Sequence, residues 1–248
     1  MNVRSPFFSI VTVCFNAIDV IAETEISLRK QAFDNYEWVV VDGKSKDGTS
    51  EWLRCHTPDV LLIESDDGIY DAMNKAVNLC SGRWLYFLNA GDLLYDDQVL
   101  HDVFLKITES DISSNTGVVY GNVVYYGDSG SRRKRFDWLK PHNLVYGDLC
   151  HQAAFSRREL YLGLGMFDKT LRFNADFDWF LRVFASGAGG MYIDRDVAFF
   201  HDKGAHVLNS VASEAERDIV RLRYVSRIKW LLGHWALRFQ FKLKKIFQ

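Results

Sequence analysis

The sequence predicts an α/β fold built on a parallel sheet, and three observations carry that expectation. In the first hundred residues, short runs that are apolar throughout alternate with amphipathic segments of helical length. Strands apolar on both faces belong to a sheet covered by helices on both sides. The polar residues Asn16, Asp42, Asp66, Asp67 and Asp92 fall just after the ends of those runs, where open α/β sheets bind their ligands.

The elements follow in order. Phe8–Phe15 reads as a continuous apolar strand, Asp19–Gln31 as a helix, and Trp38–Val41 as a second strand ending at Asp42. Thr49–Cys55 reads as helix, Val60–Ile63 as strand, Tyr70–Leu79 as helix, and Trp84–Leu88 as a fourth strand running into Asn89-Ala90-Gly91-Asp92. Beyond residue 117 the period changes. Val118–Tyr126 and Arg132–Trp138 form a hairpin around the Gly127–Gly130 stretch. Residues 157–163 and 176–186 are helical, and Met191–Ile193 and Val197–Phe200 are short strands. The expected division is 1–211 as one catalytic-sized domain and 212–248 as a helical extension.

Composition bounds the function. The 248 residues, 48% hydrophobic and 15% aromatic with 3 Pro, describe an ordered globular chain with a sizeable core. A net charge of -2 argues against a nucleic-acid partner. The charge is polarised: Arg217–Gln248 holds nine Lys/Arg against Asp218, a balance of +8, which leaves -10 on 1–216. The four cysteines, Cys14, Cys55, Cys80 and Cys150, form no CxxC pair, so a reducing compartment suits them. Phe7–Phe15 has the length of a signal-peptide core, but no small-residue cleavage site follows it, and no run reaches the roughly 18 apolar residues of a membrane span.

Three constellations carry chemistry. In Val39-Val-Val-Asp42-Gly43-Lys44-Ser45-Lys46-Asp47-Gly48-Thr49, a strand ends in Asp and passes through a small-residue turn into a helix. Such a segment presents a carboxylate and backbone N–H groups to a nucleotide; Asp47 is better read as the cap of the next helix. In Leu88-Asn89-Ala90-Gly91-Asp92, a carboxylate follows a buried strand. A divalent cation held there neutralises the charge that develops on a departing diphosphate; a lone Asp after a strand is as often a helix cap. In Phe173-Asn174-Ala175-Asp176-Phe177-Asp178, two carboxylates sit at i and i+2, hence on different faces of a helix. One suits a general base and the other a cap or ion-pair partner. His201 and His206 read as a solvated loop, Phe177, Trp179 and Phe180 as core, and Tyr70 and Trp138 as either core or site.

Together these stretches resemble family 2 glycosyltransferases of the GT-A fold, the bacterial enzymes of colanic-acid and other exopolysaccharide synthesis. Four segments carry the likeness, over roughly residues 8–205: Phe8-Ser-Ile-Val-Thr-Val-Cys-Phe-Asn16, Val40–Thr49, Ser65–Lys75 leading into Phe87–Asp92, and His151-Gln-Ala-Ala-Phe155 with Ala175-Asp-Phe-Asp178 and Arg182. The resemblance implies a GT-A architecture, with a Rossmann-like nucleotide-binding half, a mixed-sheet acceptor half and here a basic amphipathic tail. It implies an inverting in-line displacement with Asp176 as catalytic base and Asp92 as ligand of Mn2+ or Mg2+. It places Asn16, Asp42, Lys44, Ser45, Asp67, Asn74, Lys75, Asn89, Ala90 and Gly91 around the nucleotide-diphosphate sugar. It places His151, Gln152 and Asp178 on the acceptor side. The sequence departs from the family pattern at Gly43, Asn89, Gly91 and Ala175, where carboxylates are usual, and it lacks the Gln-x-x-Arg-Trp motif of processive synthases.

In the tail, Tyr224, Ile228, Leu231, Trp235, Phe239, Leu243 and Ile246 recur at helical spacing, flanked by Arg227, Lys229, Arg238, Lys242, Lys244 and Lys245. Such a helix lies on an anionic membrane surface or packs on the domain, and Gly233 divides it into a half for each role. The expected enzyme therefore moves one sugar from a nucleotide-diphosphate donor to a glycan or polyprenyl-diphosphate-linked acceptor, in the cytoplasm at the inner face of a bacterial membrane. Two other readings stay open: a non-catalytic membrane-docked partner in a polysaccharide assembly complex, and a sugar nucleotidyltransferase. The second is disfavoured by Cys14-Phe15-Asn16-Ala17 where a glycine-rich loop is needed.

Overall fold

A computed structural model describes residues 5–109, 115–127, 130–201, 210–226 and 229. Its centre is a sheet of nine strands among the described residues. Strands β1 (Phe8–Cys14), β2 (Tyr36–Asp42), β3 (Val60–Ile63) and β4 (Trp84–Phe87) are parallel and lie in the order β3-β2-β1-β4. β1 is buried along its whole length, as are the last five residues of β2 and all of β4. That two-sided burial is why these strands are unbroken apolar runs. Helices α1 (Ile21–Arg29), α2 (Thr49–His56) and α3 (Ile69–Leu79) connect them. Every carboxyl end in this half therefore emerges along one edge: Phe15–Asn16, Gly43–Asp47, Ser65–Asp67 and Asn89–Asp92.

The second half changes direction. After β5 (Leu93–Leu94) and α4 (Val99–Glu109), β6 (Thr116–Gly127) turns into β7 (Gly130–Lys134) as an antiparallel pair. β8 (Ala154–Arg157) is antiparallel to both β4 and β6 and so joins the two halves. β9 (Gly189–His201) runs parallel to β6 and antiparallel to β5. The two short strands expected at 191–193 and 197–200 are parts of this one strand, and it follows β6 through register shifts beside Gly121. The expected second hairpin strand stops at Lys134; Phe136 instead turns into the core.

Two helices complete the second half. α6 (Ala175–Ala185), which follows α5 (Arg158–Leu164), is buried on nearly every face, with the Trp179 ring stacked 3.9 Å from Tyr161. Arg182 donates to the carbonyls of Leu164, Gly165 and Met166, which closes the end of α5. α7 (Ser210–Tyr224) packs back onto this half. The Glu216 carboxylate on α7 accepts the backbone N–H groups of Arg172, Phe173 and Asn174 at 2.7–2.8 Å, stapling the loop that leads into α6. The side chain of His201, all of His206 and the tail positions Arg227, Ile228 and 230–248 lie outside the described residues.

Gly121 marks the tightest contact between β6 and β9, because an added Cβ would meet the carbonyl of Arg195 and the side chain of Val197. Gly121→Ala is expected to destabilise the fold by about 1–3 kcal/mol, read as a lower urea midpoint with an unchanged slope. An unshifted midpoint would contradict the close approach.

Candidate active site

The carboxyl ends of the parallel strands meet the second half at a cavity of ≈ 350 Å³. Six of the site residues expected from the sequence line it: Asn89, Ala90, Asp92, His151, Gln152 and Asp176. Tyr70 lines it as well, while most of its ring is buried in the core.

Asp92 reaches the cavity through a tight turn. Its N–H donates to the Asn89 carbonyl at 2.9 Å, and Gly91 adopts φ +92°. That is a backbone state costly for any residue with a Cβ. Gly91 supports the turn from behind, its N–H donating to Thr24 Oγ1 and its Cα side turned toward Val20, so it shapes the loop and is not part of the cavity lining. Gln152 Nε2 donates to Asp92 Oδ2 at 3.3 Å. Burial pushes the Asp92 carboxyl up from 3.8 to about 6, partly offset by the charge of His151 and the Gln152 hydrogen bond.

Asp176 stands in the first turn of α6, where the helix dipole favours an anion. Oδ1 accepts from the N–H of Phe177 at 2.9 Å and faces the Tyr70 hydroxyl at 3.1 Å. Oδ2 accepts from His151 twice, from the ring Nδ1 at 3.1 Å and from the backbone N–H at 3.4 Å. Burial alone would raise this carboxyl, but the His151 hydrogen bond and charge, with Phe177 N–H and Tyr70 O–H, outweigh it and hold the group below its ordinary value. His151 also bridges the two halves, since Asn89 Nδ2 lies 2.9 Å from its Nε2.

The opposite wall is basic and was missed in the sequence. Lys134 binds Asp148 at 2.6 Å, Arg217 of α7 reaches Asp148 at 3.5 Å, and Arg172 lies over the Phe173 ring. All four line the cavity together with Tyr125, Phe177 and Phe200. Burial would raise the Asp148 carboxyl, but Lys134, Arg217 and Arg221 hold it low. No local pattern marks these residues, because four separate segments bring them together.

Other expected site residues are placed elsewhere. Asp42 is fully buried, and its carboxylate is engaged by the Ser45 N–H, the Ser45 and Ser50 hydroxyls and the Cys14 thiol. It organises the turn from beneath and presents no oxygen to a ligand. The turn itself interlocks with the end of β1. Asn16 N–H donates to Ser45 Oγ at 2.7 Å, Lys46 N–H donates to Asn16 Oδ1 at 2.9 Å, and Asn16 and Lys44 adopt φ +48° and +63°. Asp47 accepts from Thr49 and Ile18 N–H, as its reading as a cap requires. On the outer surface of this unit stand Phe15, 63% exposed, and Asp66, whose Oδ2 lies so close to Gly43 that a Cβ there would be 2.6 Å away. An exposed aromatic face beside a carboxylate has the chemistry to stack a planar ring and accept its hydrogen bonds. The apolar residue before Asn16 and the Asp66-Asp67 pair were its only traces in the sequence.

Asn74 exchanges two hydrogen bonds of 2.9 Å with the backbone of Phe167, and Lys75 binds the Ser65 carbonyl and Glu64 at 2.7 Å. Both therefore secure loops and do not line the cavity. Asp67 projects into solvent near Lys169. Asp178, expected on the acceptor side, points away from the cavity: it is 4% exposed and pairs with Arg223 at 3.0 Å and Arg182 at 3.4 Å. The i, i+2 spacing divides the two carboxylates between site and scaffold.

A divalent cation can be tested against these residues. Among the described residues no group of three or more His, Cys, Asp or Glu side chains converges on one point. Of the carboxylates that line the cavity, Asp176 is held by His151 and Asp148 by Lys134, which leaves Asp92, with Gln152 on one of its oxygens, as the candidate ligand. That donor set fits a hard cation whose remaining ligands are phosphate oxygens and water.

Comparison with known proteins gives the family and the fold. Residues 9–186 match the Glycosyl transferase family 2 model, and the chain belongs to that family. The family assignment removes the nucleotidyltransferase alternative. A PGL/p-HBAD biosynthesis glycosyltransferase of Mycobacterium tuberculosis is 34% identical over 193 residues, covering 74% of this chain and 72% of the relative. A Bacillus subtilis glycosyltransferase named for teichuronic acid biosynthesis is 30% identical over 117 residues, 45% of this chain and 46% of its own. Among solved structures, S. aureus TarS 1-349 with UDP-GlcNAc superposes with TM-score 0.69 at 17% identity, over 92% of this chain and 72% of that one. The chain spans 44% of a longer TarS chain. Mannosyltransferase PcManGT from Pyrobaculum calidifontis, with GDP-Man and Mn2+, superposes with TM-score 0.66 at 18% identity, over 89% of this chain and 64% of that one. The fold is GT-A.

Removing the Asp178 carboxylate leaves two guanidinium groups without their shared anion. Asp178→Ala is expected to lower stability by about 3 kcal/mol while nucleoside diphosphate affinity, measured by calorimetry below the melting range, stays unchanged. Weakened binding with unchanged stability would return Asp178 to the site.

Proposed function

We propose that the protein transfers a sugar from a nucleotide-diphosphate donor to a hydroxyl of a glycan acceptor, with inversion, in bacterial surface polysaccharide synthesis. One observation carries this reading: Asp92 and Asp176, 84 positions apart in the chain, line one cavity and are linked across it by Gln152, His151 and Asn89. A single cavity with one carboxylate for the leaving group and one for the nucleophile is what an in-line displacement requires.

The nucleobase lies on the Phe15–Asp66 ledge, and the diphosphate extends along the strand ends to the Asn89–Asp92 turn. A divalent cation held by Asp92 supplies Lewis-acid stabilisation of the departing diphosphate. The acceptor hydroxyl enters against Asp176 and loses its proton to that carboxylate, the general base. Its oxygen bonds to the anomeric carbon as the bond to the diphosphate oxygen breaks on the opposite face. TarS crystallised with UDP-GlcNAc and PcManGT with GDP-Man and Mn2+ support a nucleotide-sugar donor and a cation. The mycobacterial and Bacillus relatives are named for PGL/p-HBAD and teichuronic acid biosynthesis, which supports a surface glycan as product.

The tail serves a lipid-linked acceptor in this reading. No helix among the described residues is long and apolar enough to cross a membrane. Three of the nine tail cations, Arg217, Arg221 and Arg223, pair inward with Asp148, Glu214, Asp218, Asp168 and Asp178. Docking on an anionic leaflet then falls to Arg227, Lys229, Arg238, Lys242, Lys244 and Lys245, at about 1 kcal/mol for each engaged charge.

Release of nucleoside diphosphate from a panel of sugar nucleotides, with and without Mn2+ or Mg2+, tests the reading. Turnover is expected only with the cation, and Asp92→Ala is expected to abolish it. Asp176→Asn should lower it by about 10²–10⁴-fold. A wild-type protein that binds donors but never turns them over would favour the non-catalytic partner. The pH dependence has a defined sign. Only the ionised carboxylate ligates, so Mn2+ affinity in the presence of nucleoside diphosphate is expected to be level above about 6 and to fall about tenfold per pH unit below it. Affinity unchanged down to pH 4.5 would remove Asp92 as ligand.

A further inference from the structure

We propose that the basic wall of the cavity is a subsite for an anionic group of the acceptor, a carboxylate or phosphate borne by the sugar that presents the reacting hydroxyl. The inference rests on the transferase reading above and deepens it, because it names the chemical class of the acceptor.

The excess of charge is the first observation. Lys134, Arg172 and Arg217 line the cavity, and Asp148 is the carboxylate they surround or adjoin on that wall. Asp148 already has Lys134 at 2.6 Å and Arg217 at 3.5 Å. Arg172 is exposed, and its guanidinium has the Phe173 ring at 5.5 Å and no carboxylate among the described residues. One cation would neutralise Asp148. Three on one wall of a cavity repel one another and draw in an anion.

Their unused donors are the second. Of the three N–H bonds of Lys134, one goes to Asp148. Arg217 is fixed by Asn174 Oδ1 on Nε at 3.0 Å and by Asp148 on Nη1, which leaves Nη2 without a partner among the described residues. Tyr125 packs its ring 4.2 Å from Phe200, and its hydroxyl has no hydrogen-bond partner among the described residues. Burial raises that hydroxyl above its ordinary value, and the charges of Asp148 and Arg217 act on it. The wall is also held in place. Glu216, the neighbour of Arg217 on α7, accepts the backbone N–H of Arg172, so one helix turn positions two of the three cations. Donors fixed in this way and not consumed within the chain suit the oxygens of a carboxylate or phosphate.

Position is the third, and it assigns the anion to the acceptor. Lys134, Asp148, Arg172 and Arg217 all belong to the second half of the fold. Besides burial, the charge that acts on the Asp92 carboxyl is that of His151, and none of the three cations does. Burial pushes the Cys150 thiol up to about 12, and there the charges of Lys134, Asp148 and Asp176 act together. Asp148 and His151, the residue that holds Asp176, are three positions apart, so their Cα atoms are separated by at most about 11 Å. The wall therefore flanks the general base. A diphosphate drawn to Asp92 is not the anion it serves.

The test uses the full chain saturated with Mn2+ and nucleoside diphosphate, which fills the donor side. Glucose 1-phosphate, glucuronate and neutral glucose are then titrated by calorimetry. At least one charged probe is expected to bind tenfold or more tightly than glucose (about 1.4 kcal/mol). A phosphate that outbinds the carboxylate assigns the charge to a phosphate-linked acceptor, and the reverse order assigns it to an acidic sugar. Arg172→Gln breaks no ion pair among the described residues. It is expected to weaken the charged probes by about tenfold and to leave glucose, and the Kd for nucleoside diphosphate, within threefold of wild type. Charged probes that bind no better than glucose, or whose affinity ignores Arg172→Gln, would overturn the inference. So would a loss of nucleoside diphosphate affinity in that variant, which would move the wall to the donor side. Protein that turns over donor without preferring the charged probes defeats this inference alone. Protein that prefers them yet turns over no donor defeats the transferase reading, and the acceptor assignment with it.

Discussion

The carboxylate of Asp176 is gripped by donors from α3, from the short 3-10 helix at His151–Ala153 and from the first turn of α6. That grip sets the distance between the nucleotide-binding half and the acceptor half. A charge buried this deeply survives only when its lone pairs are satisfied, so the three elements are bound to meet where they do. Further supports follow from it. Glu216 staples the loop entering α6, Asn74 clamps the Phe167 backbone that packs beside Tyr70, and β8 ties β4 to β6 just beneath His151.

The site is consequently bipolar. One wall carries the carboxylates of Asp92 and Asp176. The other offers Lys134 and Arg217 paired with Asp148, and Arg172 over the Phe173 ring. α7 belongs to that second wall, so the first turns of the tail are part of the enzyme's working surface. Its outer face still exposes Val211, Ile219 and Leu222.

Much of the fold was legible because the parallel strands are buried on both faces and spell themselves as unbroken apolar runs. β8 was not, since four residues paired on both edges leave no periodic trace. β9 was split in two because Asp194, Arg195 and Asp196 interrupt its apolar residues, although hydrogen bonding to β6 resumes past them. In the site, Asp92, Asp176, His151 and Gln152 stood out through their motifs. Asp42, Asn74, Lys75 and Asp178 shared those motifs, yet their partners (Ser50, Phe167, Ser65, Arg223) turn them into scaffold. Motif position marks a residue near the chemistry; only its hydrogen-bond partners say whether it faces the substrate. Lys134, Asp148, Arg172 and Arg217 carried no motif at all.

The central claim is that leaving group and nucleophile meet in one space between Asp92 and His151–Asp176. Paramagnetic broadening measures that proximity directly: Mn2+ added with nucleoside diphosphate to protein labelled in its histidine rings. The account predicts that the His151 resonances vanish at substoichiometric Mn2+, while His56 and His101, on helices that do not line the cavity, stay sharp. A sharp His151 signal with the nucleotide and Mn2+ bound would contradict it.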